Sequence, residues 1–93
     1  ELMLRISALD PVRTIKTANE KPDSLQDQLM ASDIELAQGM YQQAFDRLLK
    51  VMRTLAGEDK NKAKDHLLAL FKLVDPKNPA LIKARQELAS ALF

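Results

Sequence analysis

The stretch SLQDQLMASDIELAQGMYQQAFDRLLKVMRTLAG, residues 24–57, determines the fold. Its first half opens on Ser24, a frequent helix-starting residue, and stops at Gly39. Its second half places apolar residues at the spacing of one helix face: Tyr41, Ala44, Phe45, Leu48, Val51, Met52 and Leu55. Two amphipathic helices joined by so short a turn must lie antiparallel. The stretch therefore predicts a helical hairpin of residues 24–38 and 41–55.

Further helical segments flank this hairpin. The apolar residues 2–9 are expected to be a helix remnant, and residues 11–19 a short helix. After the hairpin, residues 58–74 begin with many charges and end in a third apolar stripe. Residues 75–79 contain two prolines and read as a linker into a last helix, which we expect to start at Pro79 and reach the chain end. The sequence predicts an all-α fold with no strand.

The composition bounds the possible functions. A chain of 93 residues suits one small domain, and 46% hydrophobic with 29% charged residues is typical of a folded protein. Lysine and arginine number 14 against 13 acidic residues, so no net field favours nucleic acid. No apolar run approaches the roughly 18 residues of a membrane span, and no signal peptide is visible. We expect a cytoplasmic protein that binds neither nucleic acid nor membrane.

Residues with catalytic chemistry are scarce. The chain has no cysteine, and His66 is its only histidine. A single histidine beside Asp65 makes neither an acid–base site nor a metal site, because sequence neighbours point to different helix faces. The cationic residues of the middle helices alternate with acids and read as a solvated face: Arg47, Lys50, Arg53, Lys60, Lys62 and Lys64. We expect no enzyme activity, no cofactor and no metal.

The hairpin resembles the tetratricopeptide repeat, a helical repeat with a period in the thirties. The matching positions are Leu25, Ser32, Gly39, Tyr41 and Ala44. Small residues such as Ser32 and Ala44 allow two helices to approach closely, and glycine allows the chain to reverse. The pattern departs at Gln28, where an aromatic residue is expected, and at Ala56, where a proline is expected. The resemblance implies stacked antiparallel hairpins in a short right-handed solenoid.

Three runs of sequence resemble one family in particular, the chaperedoxins (YbbN/CnoX). They are QAFDRLL at residues 43–49, LLALF at residues 67–71 and LASALF at residues 88–93. The resemblance covers about residues 20–93 and implies a holdase that captures unfolding client proteins, notably under oxidative chlorine stress, and passes them to the chaperonin. Chaperedoxins carry an upstream thioredoxin-like domain, which we expect to lie outside residues 1–93. Residues 1–93 are therefore expected to be the C-terminal interaction domain of a longer protein.

Two sets of residues are the predicted protein-binding positions. Leu29, Asp33 and Leu36 are expected to face a groove on the hairpin. Leu88, Leu92 and Phe93 form an apolar end that either docks into a groove of the chaperonin or caps the chain's own core. The alternative function is a structural assembly domain, in which the apolar residues 2–9 and the hairpin join copies of the chain into a homo-oligomer.

Overall fold

The computed structural model describes residues 10–92, so the expectations for residues 2–9 and for Phe93 lie outside the described part. Within residues 10–92, every regular element is a helix, as the sequence predicts. The helices are α1 (Pro11–Glu20), α2 (Leu25–Ala37), α3 (Tyr41–Thr54), α4 (Gly57–Phe71) and α5 (Pro79–Ala91). The predicted hairpin corresponds to α2 and α3, and the charged start of residues 58–74 forms the first half of α4.

Three helix starts follow from local chemistry. Asp10, Ser24 and Asn78 precede α1, α2 and α5, and each side chain accepts a hydrogen bond from a backbone N–H of the first turn. Such caps satisfy N–H groups that have no partner inside the helix. Pro11 and Pro79 occupy first-turn positions, where proline removes no internal hydrogen bond. The predicted starts of these helices are confirmed.

The hairpin turn depends on Gly39. Its φ of 79° lies in the left-handed region, which glycine adopts without steric strain. The N–H of Met40 donates to the carbonyl of Glu35 at 2.8 Å. The N–H of Gly39 donates to the carbonyl of Leu36 at 3.0 Å. These two bonds form a Schellman motif, which ends α2 and reverses the chain within a few residues.

The connection from α3 to α4 is also short. Only Leu55 and Ala56 separate the two helices, and Gly57 begins α4 with a φ of 64°. That backbone conformation is unfavourable by about 1–2 kcal/mol for most other residues. Gly57 therefore permits the abrupt turn that lays α4 against α3.

Helix α3 lies at the centre of the packing. Helices α2, α4 and α5 all pack against it, and α1 packs against α2. Phe45 of α3 meets Phe71 of α4 edge to face, with ring centroids 5.2 Å apart and planes at 81°. The buried core cluster consists of Leu36, Ala44, Phe45, Leu48, Leu49, Val51, Met52, Ala63, Leu67, Leu70, Phe71, Val74, Leu81, Ala84 and Leu88. The chain is thus built of stacked helical pairs around one core, which confirms the predicted fold class.

Small side chains allow the two helices of the hairpin to approach. Ala44 in α3 and Ser32 in α2 are both 0% exposed. The hydroxyl of Ser32 donates to the carbonyl of Leu29 at 2.7 Å, so its polar atom has a partner inside the helix. Protein interiors are filled to the density of organic crystals, so a larger side chain at either position must displace its neighbours.

The variant Ala44→Leu tests this close packing. Adding carbon atoms to a filled interior is expected to lower the free energy of unfolding by about 1–3 kcal/mol. Ala89→Leu is the matched control, because Ala89 is exposed on α5 and the same change there should stay within about 0.5 kcal/mol. Urea denaturation followed by circular dichroism measures both. Equal stability of the two variants would contradict the packing described for Ala44.

Candidate functional site

The middle of α2 is enclosed on all sides. Residues 31–36 are buried in succession, although an amphipathic helix normally buries one stripe. Helices α1, α3 and α4 all pack against α2. The buried residues include two carboxylates, Asp33 and Glu35, each 3% exposed. Because a buried charge is strongly unfavourable without a partner, α2 depends on polar groups from its neighbours.

Glu35 is paired with Arg47 of α3. The Nε of Arg47 lies 2.8 Å from Oε1 of Glu35, and Nη2 lies 3.2 Å from Oε2. Two parallel hydrogen bonds of this kind fix the relative orientation of the two groups. The side chains are 11% and 5% exposed, so the pair joins α2 to α3 largely away from water.

The same guanidinium reaches α1. Nη1 of Arg47 donates to Oε1 of Gln28 at 2.9 Å, and Nη2 donates to Oδ1 of Asn19 at 3.0 Å. The amide nitrogen of Gln28 in turn donates to the carbonyls of Ala18 and Lys21 at 2.7 and 3.1 Å. These carbonyls lie at the end of α1 and also accept from the backbone N–H groups of Lys21 and Ser24, so the amide of Gln28 adds a second hydrogen bond to each. We refer to these four side chains as the Arg47 network: Asn19, Gln28, Glu35 and Arg47.

The Arg47 network explains one departure from the repeat pattern. Gln28 stands where an aromatic residue is expected, yet it is buried at 5% exposure. An aromatic side chain there has no amide to donate to the end of α1 or to accept from Arg47. Gln28 therefore replaces apolar packing by hydrogen bonds between three helices.

A groove of about 510 Å³ opens over the Arg47 network, between the end of α1 and the outer face of α3. Its rim carries both signs of charge, from Asp23, Asp46 and Lys50. Among residues 10–92, every buried side-chain nitrogen and oxygen has a hydrogen-bond partner. The groove thus offers no unsatisfied buried charge to select an ionic ligand, and its polar groups serve the packing of the helices.

Asp33 makes a second polar tie between helices. Its Oδ1 lies 2.6 Å from Nε2 of His66 in α4, and the Asp33 side chain is 4% exposed. The sequence alone draws attention to Asp65 as the neighbour of His66, whereas the actual partner is 33 positions away. The pair joins α2 to α4, and no local signal in the sequence reveals it.

The groove predicted on the hairpin needs correction. Asp33 and Leu36 are buried, and Leu36 belongs to the core cluster. Leu29 is half-buried and packs against the same cluster. The expectation that these residues face a groove is wrong for Asp33, which is paired with His66 of α4, and for Leu36, which is packed into the core cluster. A role of Leu29 in partner binding stays a prediction.

The residues of the predicted apolar end differ in their exposure. Leu88 is 8% exposed and belongs to the core cluster, so its assignment as an exposed docking residue is wrong and it closes the chain's own core. Leu92 is 50% exposed and remains accessible, while Phe93 lies outside the described residues. From α4 to the end of the described residues, the exposed large apolar side chains are Leu68, Leu73, Ile82 and Leu92.

Residues 10–92 hold neither a group of metal ligands nor a membrane-spanning helix. A metal site requires several converging ligands, and no group of three or more histidine, aspartate or glutamate side chains in this range is placed to hold a metal ion. A membrane span requires about 20 consecutive apolar residues. No helix in the same range combines the necessary length with the necessary hydropathy.

Removing the cation tests the Arg47 network. In Arg47→Met, the carboxylate of Glu35 is buried without its partner, and the free energy of unfolding should fall by about 3 kcal/mol. Arg53→Met is the control, because Arg53 is exposed on the same helix. The double variant Arg47→Met/Glu35→Met removes both charges and should recover part of the loss in urea denaturation. A double variant no more stable than Arg47→Met would contradict this explanation.

Known relatives of the chain are longer proteins. The uncharacterized protein Mb1359 of Mycobacterium bovis and the uncharacterized proteins MT1366 and Rv1324 of Mycobacterium tuberculosis are each 29% identical to it over 93 residues. The match covers 100% of this chain and 30% of each relative. The chain thus spans about a third of the length of these curated relatives. No solved structure matches the chain.

A family model covers nearly the whole chain. The model of the tetratricopeptide repeat matches residues 7–93. Helices α1 to α5 fall within that match, and their stacking in pairs is the architecture that such repeats form. The chain therefore belongs to the tetratricopeptide-repeat family, whose domains mediate protein–protein interactions.

Proposed function

We propose that this chain is the protein-interaction module of a chaperedoxin, which holds unfolding client proteins and docks to the chaperonin for client transfer. Membership of the tetratricopeptide-repeat family supplies the general protein-binding role. The specific role is supported by the resemblance of residues 43–49, 67–71 and 88–93 to chaperedoxins. In this proposal the chain acts in the cytoplasm, binds without catalysing a reaction and uses no cofactor.

The observation that carries the proposal is the distribution of exposed apolar side chains. Leu68, Leu73, Ile82 and Leu92 are 40–61% exposed, whereas Val12 is the one large apolar residue of α1 to α3 described as exposed. An unfolding client exposes apolar surface, and burying it against apolar side chains of a holdase is favourable. The C-terminal helices are therefore the client-binding region of the proposal.

The greater length of the relatives leaves room for a second domain beside the binding module. About 70% of each Mycobacterium relative lies outside the match, because the match covers 30% of it. The proposal assigns a thioredoxin-like domain to part of that additional length. The chain itself then contributes binding, and any redox chemistry belongs to the other domain.

Leu92, which directly follows α5, is the residue best placed for the chaperonin contact. Truncating the helix is a poor test, because Ala84 and Leu88 belong to the core cluster and their removal would unfold the chain. A point substitution at the exposed Leu92 avoids this. The neighbouring Ser90 is also exposed, so it offers a matched position for the same added charge.

We expect the chain to bind purified, immobilised chaperonin in surface plasmon resonance, and Leu92→Asp to weaken binding about tenfold by removing an apolar contact. Ser90→Asp adds the same charge near the same helix end and should keep the affinity. Circular dichroism verifies that both variants are folded. Equal weakening in the two variants would contradict the role of Leu92.

The competing function is the structural assembly domain. It predicts that the chain forms homo-oligomers, so the mass in sedimentation equilibrium would rise with concentration. A chain that self-associates in this way and does not bind chaperonin would overturn the proposed function and replace it with assembly.

A further inference from the structure

Helices α4 and α5 border a cleft that the proposed chaperonin contact at Leu92 does not use. Both helices pack on α3, while their backbones make little contact with each other across the seven-residue connection 72–78. The cleft has a volume of about 380 Å³. It is lined by Leu68, Phe71, Lys72, Arg85 and Leu88.

The floor of the cleft is apolar and firmly supported. Phe71 and Leu88 are only 5% and 8% exposed, because their other faces belong to the core cluster. Phe71 is further held by its edge-to-face contact with Phe45. Leu68 lines the side of the cleft formed by α4 and is 40% exposed. An apolar side chain that enters the cleft therefore meets a preformed apolar surface and releases the water above it.

The rim of the cleft is basic. Lys72 and Arg85 are both exposed, and the guanidinium carbon of Arg85 lies 6.0 Å from the ring centroid of Phe71. Among the residues that the structure describes, no carboxylate lines the cleft. Within residues 10–92 neither cation takes part in a salt bridge. By contrast, the Nζ of Lys83, which is on α5 like Arg85, lies 4.0 Å from Oε1 of Glu87. Both rim cations can therefore pair with acidic groups of an incoming molecule.

We propose that this cleft binds an amphipathic helix of a partner protein, with apolar anchors on one face and carboxylates beside them. A cleft between two helices can accommodate a third helix. The apolar side chains at successive turns of the partner helix can enter between Leu68 and Leu88. Acidic residues flanking those anchors reach Lys72 and Arg85. The basic rim also disfavours a basic helix, which gives the site its selectivity.

The inference deepens the proposed function and rests on it only for the general role of protein binding. It names the chemistry of a partner segment, an acidic amphipathic helix. It requires neither the chaperonin nor an upstream redox domain, so it is tested separately from the Leu92 contact.

Two synthetic peptides serve as probes. Both are fluorescein-labelled helices of about four turns with leucine on one face, and they carry either glutamate or lysine beside the leucines. In fluorescence anisotropy at low salt, the glutamate peptide should bind the chain at least about tenfold more tightly than the lysine peptide. The double variant Lys72→Glu/Arg85→Glu should reverse this preference.

The matched control is Lys16→Glu/Arg53→Glu, which changes the net charge equally at two exposed positions on α1 and α3. It should keep the preference for the glutamate peptide. Loss of the preference in both double variants would overturn the inference, because net charge alone would then explain it.

The apolar wall is tested by Leu68→Asp, which should weaken binding of the glutamate peptide about tenfold. Unchanged affinity would overturn the role of the cleft. Failure of the intact chain to bind either peptide would also overturn the inference, while the chaperonin measurement with Leu92→Asp would remain informative about the proposed function.

Discussion

Two buried carboxylates in the middle of α2 constrain how the helices can pack. Glu35 requires Arg47 from α3, and Asp33 requires His66 from α4. Through Gln28, the same arginine also holds the end of α1. Because the two partners come from different helices, both carboxylates are paired only when α3 and α4 lie against α2. The amide of Gln28 ties the end of α1 into the same arrangement. Apolar burial stabilises the core, while these polar ties specify how the helices meet.

Much of the fold is predictable from local sequence, because its signals are local. The caps at Ser24 and Asn78, the turn at Gly39 and the apolar stripe of α3 each depend on residues within one or two turns. The polar ties escape prediction because they join distant residues. Arg47 looks like one cation of a solvated face until α2 is placed beside it. Burial of all sides in the middle of α2 is a property of its neighbours, not of its own pattern.

The same limit explains the errors at the candidate site. Asp33 and Leu88 lie on segments that suggest exposure, and each is covered by tertiary packing. The cleft between α4 and α5 escapes prediction for the opposite reason. Its apolar residues belong to stripes that the sequence assigns to the core, but the two helices stand apart and leave Leu68 accessible. The polar ties therefore connect the first four helices, α1 to α4, to one another. Most of the described large apolar side chains that are exposed occur from α4 onward.

In the proposed function, clients are held by the exposed apolar side chains from α4 onward, Leu68, Leu73, Ile82 and Leu92. Lysine-specific cross-linking to a chemically unfolded client, read by mass spectrometry, tests it directly. Three exposed lysines lie in the connection between α4 and α5 or on α5 itself: Lys72, Lys77 and Lys83. Three other exposed lysines lie on or next to α1 and on α3: Lys16, Lys21 and Lys50. We expect client cross-links to concentrate on the first set. Cross-links concentrated on the second set, or spread evenly over both, would contradict the proposed client-binding region.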